Sequence, residues 1–267
     1  TIAPEILYAA DLCGVDRIFS VGGAQAVAAM AYGTESIPHV EKIFGPGNRY
    51  VTRAKQLVST EAVAVDLPAG PSEVMVLADN SARAEFVAAD LLSQAEHGGD
   101  SQAVLVCPSV EFARDTQRAV GEQLLQLRRN ETIREALRQS RIVVLDSRQK
   151  MIDFANAYAP EHLIVSMRDA WDVAAQITAA GSVFIGAWSP ESAGDYASGT
   201  NHTLPTGGWA RAYSGVNTDS FLRKITYQEL SRKGLAALSP TIIAMAEAEG
   251  LGAHAAAVRV RMKGGAL

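Results

Sequence analysis

The chain has 267 residues, of which 48% are hydrophobic and 20% charged, as in an ordinary globular protein with one large or two modest domains. Its formal net charge of −5 argues against nucleic acid or an anionic membrane surface as a partner. The sequence contains no apolar run long enough to span a membrane and no signal-peptide pattern, so we expect a cytoplasmic protein. Cys13 and Cys107 lie far apart beside apolar residues, which favours two reduced, buried thiols over a disulfide.

Strands and helices are predicted to alternate in the first part of the chain. The predicted elements are a helix that begins near residue 4, a strand at 17–21, a helix at 24–32, a strand at 42–44, a helix at 50–58 and a strand at 62–66. This spacing indicates βαβ units around a parallel sheet. Residues 67–71 are rich in Pro and Gly and mark a predicted domain boundary.

The alternation resumes after this boundary and continues to residue 185. The predicted strands are 73–77, 103–107, 142–145, 161–165 and 182–185, and the predicted helices are 82–97, 110–139 as two helices, 149–158 and 170–180. A long segment at 186–215 follows, and its two tryptophans argue for a functional loop rather than disorder. Helices are predicted again at 228–238 and 241–249.

Two glycine-rich turns, 22–23 and 45–48, connect predicted strands to predicted helices. Ligands of α/β sheets bind at such positions, beside helix N-termini. Neither turn has the G-x-G-x-x-G pattern, and no acidic residue stands where a ribose contact is expected. The turns are therefore either ligand-binding sites or simple tight connections.

Gln94 and His97 are three residues apart at the end of a predicted helix, so their side chains share one face. They are either a pair of metal ligands or a solvated amide beside a histidine that interacts with the helix C-terminus. Asp195 and His254 complete a set of nitrogen and oxygen ligands without a thiolate. Such a set suits a catalytic Zn²⁺ site, with Mn²⁺ as a substitute, better than a structural zinc site. The spacing leaves open whether the four residues converge.

Glu161 and His162 are adjacent at the start of a predicted strand, directly after Pro160. General acid–base catalysis requires groups that titrate near neutrality, which favours His and a partly buried Glu. The alternative is a surface glutamate beside a packed histidine.

These motifs resemble those of the histidinol dehydrogenase family. The resemblance extends in order from about residue 18 to residue 254 through segments 21–26, 44–48, 68–73, 92–97, 160–162, 188–202 and 228–231. It implies a zinc-dependent enzyme that oxidises L-histidinol to L-histidine through the aldehyde with two NAD⁺, the last step of histidine biosynthesis. The family's N-terminal portion is absent from this chain, which begins with Thr1 rather than Met. One expectation is that this portion is a separate chain that binds to this one.

The resemblance also implies a role for particular residues. Zinc ligands are expected at Gln94, His97, Asp195 and the partner subunit's His254, and these residues also contact the substrate. Further substrate contacts are expected at Ser72, His162, His202 and Glu249. The implied acid–base pair is Glu161, which activates water, and His162, which deprotonates the alcohol. NAD⁺ contacts are expected at Gln25 and Asn48.

The fold implied by the resemblance is α/β, with two incomplete Rossmann-like parallel-sheet domains followed by a small C-terminal helical arm. Residues 1–71 correspond to the second half of an NAD-binding domain and 72–215 to the second half of the main zinc-binding and catalytic domain. Residues 216–267 correspond to the arm, which is expected to be swapped between the subunits of a homodimer. The alternatives are a zinc hydrolase that uses water activated by Glu161, and an inactive fragment or paralogue that acts as a binding module.

Overall fold

The computed structural model describes residues 2–68 and 70–263. Thr1, Ala69 of the 68–73 motif and residues 264–267 at the end of the predicted arm lie outside the described residues. The chain forms two compact units, one ending at Phe221 and the other beginning at Leu222. The division into three domains at residues 71 and 215 stays a prediction.

The first part of the chain forms a small parallel sheet covered by helices. Its elements are α1 (Pro4–Leu12), α2 (Gly23–Tyr32), β1 (Lys42–Ile43), α3 (Arg49–Ser59) and β2 (Ala64–Val65). Strands β1 and β2 pair in parallel, with Lys42 opposite Ala64. Val27, Ile43 and Val58 pack in one apolar cluster, so burial of these side chains holds α2 and α3 against the sheet.

A second sheet of five parallel strands forms the centre of the first unit. Its strands are β3 (Glu73–Ala78), β4 (Gln102–Cys107), β5 (Arg141–Val144), β6 (His162–Ser166) and β7 (Ser182–Ile185). The spatial order is β5-β4-β3-β6-β7, so β3 lies between β4 and β6. The register places Val74 of β3 opposite His162 of β6. This pairing brings the amino ends of the two central strands together.

Helices cover both faces of the five-stranded sheet. They are α4 (Ala84–Ala95), α5 (Val110–Leu124), α6 (Asn130–Gln139), α7 (Arg148–Tyr158), α8 (Ala170–Ala174) and α9 (Glu191–Tyr196). Val76 packs with residues of α4 and α5 on one face, and its neighbour Leu77 packs with residues of α7 and α8 on the other. Strands buried on both faces explain the continuous apolar runs in the sequence.

Within its described residues, up to Lys263, the second unit contains two helices, α10 (Arg232–Ala248) and α11 (Gly252–Lys263). The sequence predicted separate helices at 228–238 and 241–249, and this prediction was wrong. One helix begins after the Ser231 cap and continues through Pro240. A proline removes one backbone hydrogen bond, and a helix of 17 residues tolerates this loss.

Three other predictions from the sequence also need correction. Residues 17–21 lack a strand neighbour within the described part of the chain, so they form no ladder, and Phe19 is 41% exposed. The segment 186–215 is not structureless, because it contains α9 and a short 3₁₀ helix at Trp209–Arg211. Cys107 is buried as expected, but Cys13 is exposed.

No helix among the described residues is long and apolar enough to cross a membrane.

Candidate active site and metal centre

The candidate site lies at the amino ends of β3 and β6. A cavity of about 160 Å³ opens there, lined by Pro46, Gly70, Ser72, His97, Glu161, His162, Asp195, His202, Leu204 and Thr206. Ligands of parallel α/β sheets usually bind beyond the carboxyl ends of the strands. In the main sheet the candidate residues lie instead at the amino ends of the strands.

His162 is a buried neutral base whose tautomer is determined by the backbone. Its Nδ1 atom lies 3.3 Å from the carbonyl oxygen of Glu73. A carbonyl can only accept, so Nδ1 carries the proton and Nε2 carries the lone pair. Nε2 has no hydrogen-bond partner within residues 2–68 and 70–263, and lies 3.8 Å from Oδ1 of Asp195. Burial lowers the pKa of His162 to about 4, so the imidazole is neutral at pH 7.

Glu161 is a buried carboxyl group held by two donors. Its Oε2 atom accepts from Oγ of Ser72 at 2.6 Å and from the backbone N–H of Glu73 at 2.8 Å. The same oxygen lies 3.6 Å from Nδ1 of His162. Burial raises the pKa of Glu161 to about 8, although the two hydrogen bonds oppose this change. A carboxyl group in this range can take up and release a proton near neutral pH.

Gln94 and His97 point in the same direction, as their spacing predicted. Gln94 lies in the last turn of α4, and its Nε2 atom is 3.4 Å from Nδ1 of His97, just beyond the helix end. The Gln94 side chain is fully buried, and its Oε1 atom has no hydrogen-bond partner in the described structure. A buried, unpaired acceptor is costly unless a ligand satisfies it.

Asp195 joins this pair from α9, together with a residue that the sequence reasoning missed. Ligand atoms of His97, Glu191 and Asp195 all lie within 4.8 Å of one another. These atoms and the unpaired Oε1 of Gln94 form a nitrogen and oxygen donor set that fits a divalent cation.

Glu191 is 1% exposed, and neither of its carboxyl oxygens has a hydrogen-bond partner among the residues described. Its Oε1 atom lies 3.7 Å from Nδ1 of His162. Burial, with the neighbouring Asp195, Glu161 and Asp90 charges, raises the pKa of Glu191 to about 9. One signal in the sequence could have identified it. Glu191 and Asp195 are four residues apart, so a helix at this position directs both carboxyl groups to one face.

The structure brings together seven of the predicted residues. They are Ser72, Gln94, His97, Glu161, His162, Asp195 and His202. Glu249 and His254 lie in the second unit, Glu249 at the end of α10 and His254 in the first turn of α11. Gly250, with φ of 73°, connects these two helices.

The predicted NAD⁺ contacts lie in or just after the two glycine turns. Gln25 is in the first turn of α2. Asn48 caps α3, because its Oδ1 atom accepts from the backbone N–H groups of Tyr50 and Val51. Pro46 of the same turn lines the cavity. The second turn is therefore beside the candidate site.

A buried ion pair holds that turn. Lys55 and Asp66 contact each other with side chains that are 6% and 1% exposed. The backbone N–H of Gly45 donates to Asp66 at 2.8 Å, and the Gly45 carbonyl accepts from Lys55 at 2.9 Å. Gly45 has φ of 131°, which only glycine adopts readily.

A protein-family model described as histidinol dehydrogenase matches residues 1–262. The chain belongs to the histidinol dehydrogenase family. It is 59% identical over 262 residues to histidinol dehydrogenase of Bacteroides fragilis (strain YCH46), covering 98% of this chain and 61% of that protein. It is 55% identical over 263 residues to histidinol dehydrogenase of Escherichia coli (strain K12), with the same two coverages.

A solved structure agrees with this assignment. The crystal structure of histidinol dehydrogenase from Elizabethkingia anophelis matches with a TM-score of 0.96 and 56% identity, over 98% of this chain and 61% of that chain. The family resemblance and the α/β fold predicted from the sequence are thereby confirmed. The chain spans about 61% of the length of these histidinol dehydrogenases.

Proposed function

We propose that the complete protein is a histidinol dehydrogenase, which oxidises L-histidinol to L-histidine through L-histidinaldehyde with two NAD⁺ in the last step of histidine biosynthesis. The observation that carries this proposal is the buried pair of Glu161 and His162. The pair combines a carboxyl group whose pKa is near 8 with an imidazole that stays neutral. Membership of the family supports the choice of substrate and of NAD⁺.

Gln94, His97 and Asp195 would hold a zinc ion together with the partner subunit's His254. The unpaired buried Oε1 of Gln94 and the close approach of His97 and Asp195 support this assignment. A bound zinc ion supplies a fixed positive charge that binds and orients the imidazole and amino groups of histidinol.

His162 acts as the base in the first oxidation. Removal of a hydride from an alcohol requires loss of the hydroxyl proton, and Nε2 of His162 presents a lone pair to the cavity. Its Nδ1–H bond to the Glu73 carbonyl keeps the ring in the required tautomer and orientation. A general base of this kind contributes ~10²- to 10⁴-fold to the rate.

Glu161 acts in the second oxidation. The aldehyde must add water before a second hydride can leave, and Glu161 takes the proton from that water. Ser72 and the Glu73 backbone hold Oε2 of Glu161 in place, which leaves the other carboxyl oxygen as the one that can face the water. Gln25 and Asn48 would contact NAD⁺, which would supply the hydride acceptor for the two oxidations.

The remaining assignments concern the substrate pocket and the assembly. Ser72, His202 and Glu249 contact histidinol, and the enzyme is a cytoplasmic homodimer whose sites are shared between subunits. Mixing His97→Ala and His254→Ala subunits tests the shared site, because one of the hybrid sites regains all four zinc ligands. Recovered activity after subunit exchange is the expected result, and exchange without recovery would contradict sharing.

The activity is tested in the complete protein, including the portion that this chain does not contain. Purified protein with Zn²⁺, histidinol and NAD⁺ should form two NADH for each histidinol consumed, and histidine should accumulate. Consumption of substrate without NADH would favour a hydrolase. The absence of both, in a folded and zinc-loaded dimer, would contradict the proposed function.

A further inference from the structure

Glu73 ends the 68–73 motif, and the proposed function gives its side chain no role. Its backbone contacts both members of the acid–base pair. The Glu73 N–H donates to Oε2 of Glu161 at 2.8 Å, and the Glu73 carbonyl faces Nδ1 of His162 at 3.3 Å. A shift of this residue would therefore move both catalytic groups.

The Glu73 side chain connects a different part of the molecule to the same position. It is 8% exposed, and Oε1 accepts from the backbone N–H of Gly207 at 3.0 Å. Oε2 accepts from the hydroxyl of Tyr158 at 3.1 Å. One buried carboxyl group at the start of β3 thus binds both Gly207 and Tyr158, the last residue of α7.

The residues just before Gly207 form one side of the cavity. His202, Leu204 and Thr206 line it, and Leu204 and Thr206 are almost fully buried. Oγ1 of Thr206 accepts from the backbone N–H of Gly70 at 2.5 Å. The chain then leaves through Gly207 and Gly208, with φ of 60° and 78°. The hydrogen bond from the Gly207 N–H to Glu73 therefore fixes the chain directly after this cavity wall.

We propose that Glu73 is a positioning residue whose carboxyl group holds the cavity wall at residues 202–206 against the start of β3, where the Glu73 backbone contacts Glu161 and His162. It touches neither substrate nor cofactor and acts through the residues that do. This inference rests on the proposed function for its kinetic readout, but its structural readout is independent of activity.

The hydrogen-bond pattern predicts which substitutions preserve the role. In Glu73→Gln an amide oxygen can still accept from Gly207, and the amide N–H₂ can donate to the Tyr158 hydroxyl, which accepts as well as donates. Glu73→Asp keeps the charge but is one methylene shorter, so it cannot reach both partners. Glu73→Ala leaves the Gly207 N–H without its acceptor and leaves the half-buried Tyr158 hydroxyl only its contact with Oε1 of Gln102.

The experiment compares these variants in the complete zinc-loaded protein. Glu73→Asp and Glu73→Ala should lower kcat/KM for histidinol by ~10-fold or more, mainly through KM, since each loses the hydrogen bond that attaches Gly207, directly after the cavity wall, to β3. Glu73→Gln should stay within ~3-fold of the unmodified protein by the same reasoning. The control is Val106→Ala, a fully buried site near the carboxyl end of β4 and therefore away from the cavity at the amino ends of the strands, which should lower Tm and leave KM unchanged.

Hydrogen exchange at the Gly207 amide, which donates to Glu73, provides the second readout. Exchange should accelerate in Glu73→Asp and Glu73→Ala but not in Glu73→Gln or Val106→Ala. If Glu73→Ala does not fold, the comparison of the Asp and Gln variants still tests the proposal. Activity of the Asp variant equal to or above that of Gln, or unchanged exchange in the Asp variant, would overturn the proposal. Lack of histidinol turnover by the unmodified protein would refute the proposed function alone, and the exchange result would still apply.

Discussion

Nδ1 of His162 lies 3.3 Å from the backbone carbonyl oxygen of Glu73, although the two residues are 89 positions apart in the chain. The contact follows from the parallel pairing of β3 with β6, which places Val74 opposite His162. Because a backbone carbonyl is present whatever side chain occupies the position, the tautomer of His162 depends on strand register rather than on any one side chain.

The acid–base pair should divide its work between the two oxidations. His162→Asn should slow oxidation of histidinol by ~10²- to 10⁴-fold and slow oxidation of supplied histidinaldehyde much less. Glu161→Gln should show the reverse pattern, because only the second oxidation needs activated water. Rapid-mixing measurements of NADH formation from each substrate test this difference. Equal losses in both half-reactions for both variants would contradict the division.

Gln94 should be needed for zinc binding. Gln94→Ala should lower zinc affinity by ~10- to 100-fold, since it removes an oxygen donor from the proposed set. Zinc content after dialysis against a weak chelator, measured by mass spectrometry, tests this without reference to activity. Gln117→Ala, an exposed glutamine on α5, is the matched control. Equal zinc retention in both variants would remove Gln94 from the site.

Glu191 should make the metal-free protein less stable as pH rises. Its folded-state pKa of about 9 lies above its ordinary value of 4.5, so the folded protein keeps a proton that the unfolded chain releases between these values. The free energy of unfolding should therefore fall across this window. Glu191→Gln should make the fall smaller but not abolish it, because burial also raises the pKa of Glu161 and Glu73.

Denaturant titrations of metal-free protein at about pH 5 and about pH 8 measure this change. The control is Glu111→Gln, at an exposed position in the first turn of α5. If the pH dependence of Glu191→Gln equals that of the control, the buried carboxyl does not retain its proton.

Lys55 should contribute to stability far more than an exposed lysine in a similar pair. Lys55→Met leaves Asp66 buried without its partner charge and should cost ~3–5 kcal/mol in the free energy of unfolding. Lys150→Met removes the exposed pair with Asp146 and should cost only ~0–1 kcal/mol. Chemical denaturation measures both values. Comparable small losses would show that the buried pair is not required to hold the Gly45 turn.

Much of the architecture could be predicted because local patterns produce it. Apolar runs bounded by Gly and Pro located the five strands of the main sheet, and the Gln94–His97 spacing placed both side chains on one face. Residues 17–21 have the same strand pattern but lie exposed, with no strand beside them in the described part of the chain. Strand propensity alone does not create a sheet, because pairing requires a second strand.

The sequence by itself determined the alternation of strands and helices, the family and the adjacency of Glu161 and His162, since these depend on neighbours in the chain. Only the tertiary structure decided that the candidate site residues meet at the amino ends of β3 and β6. It also placed Glu191 beside His162 and the Glu73 carboxyl against Gly207. These contacts join residues that are far apart in the chain. Glu73 and Gly207, for example, are separated by 134 positions. Strand order and register create them, and no periodicity in the sequence encodes either.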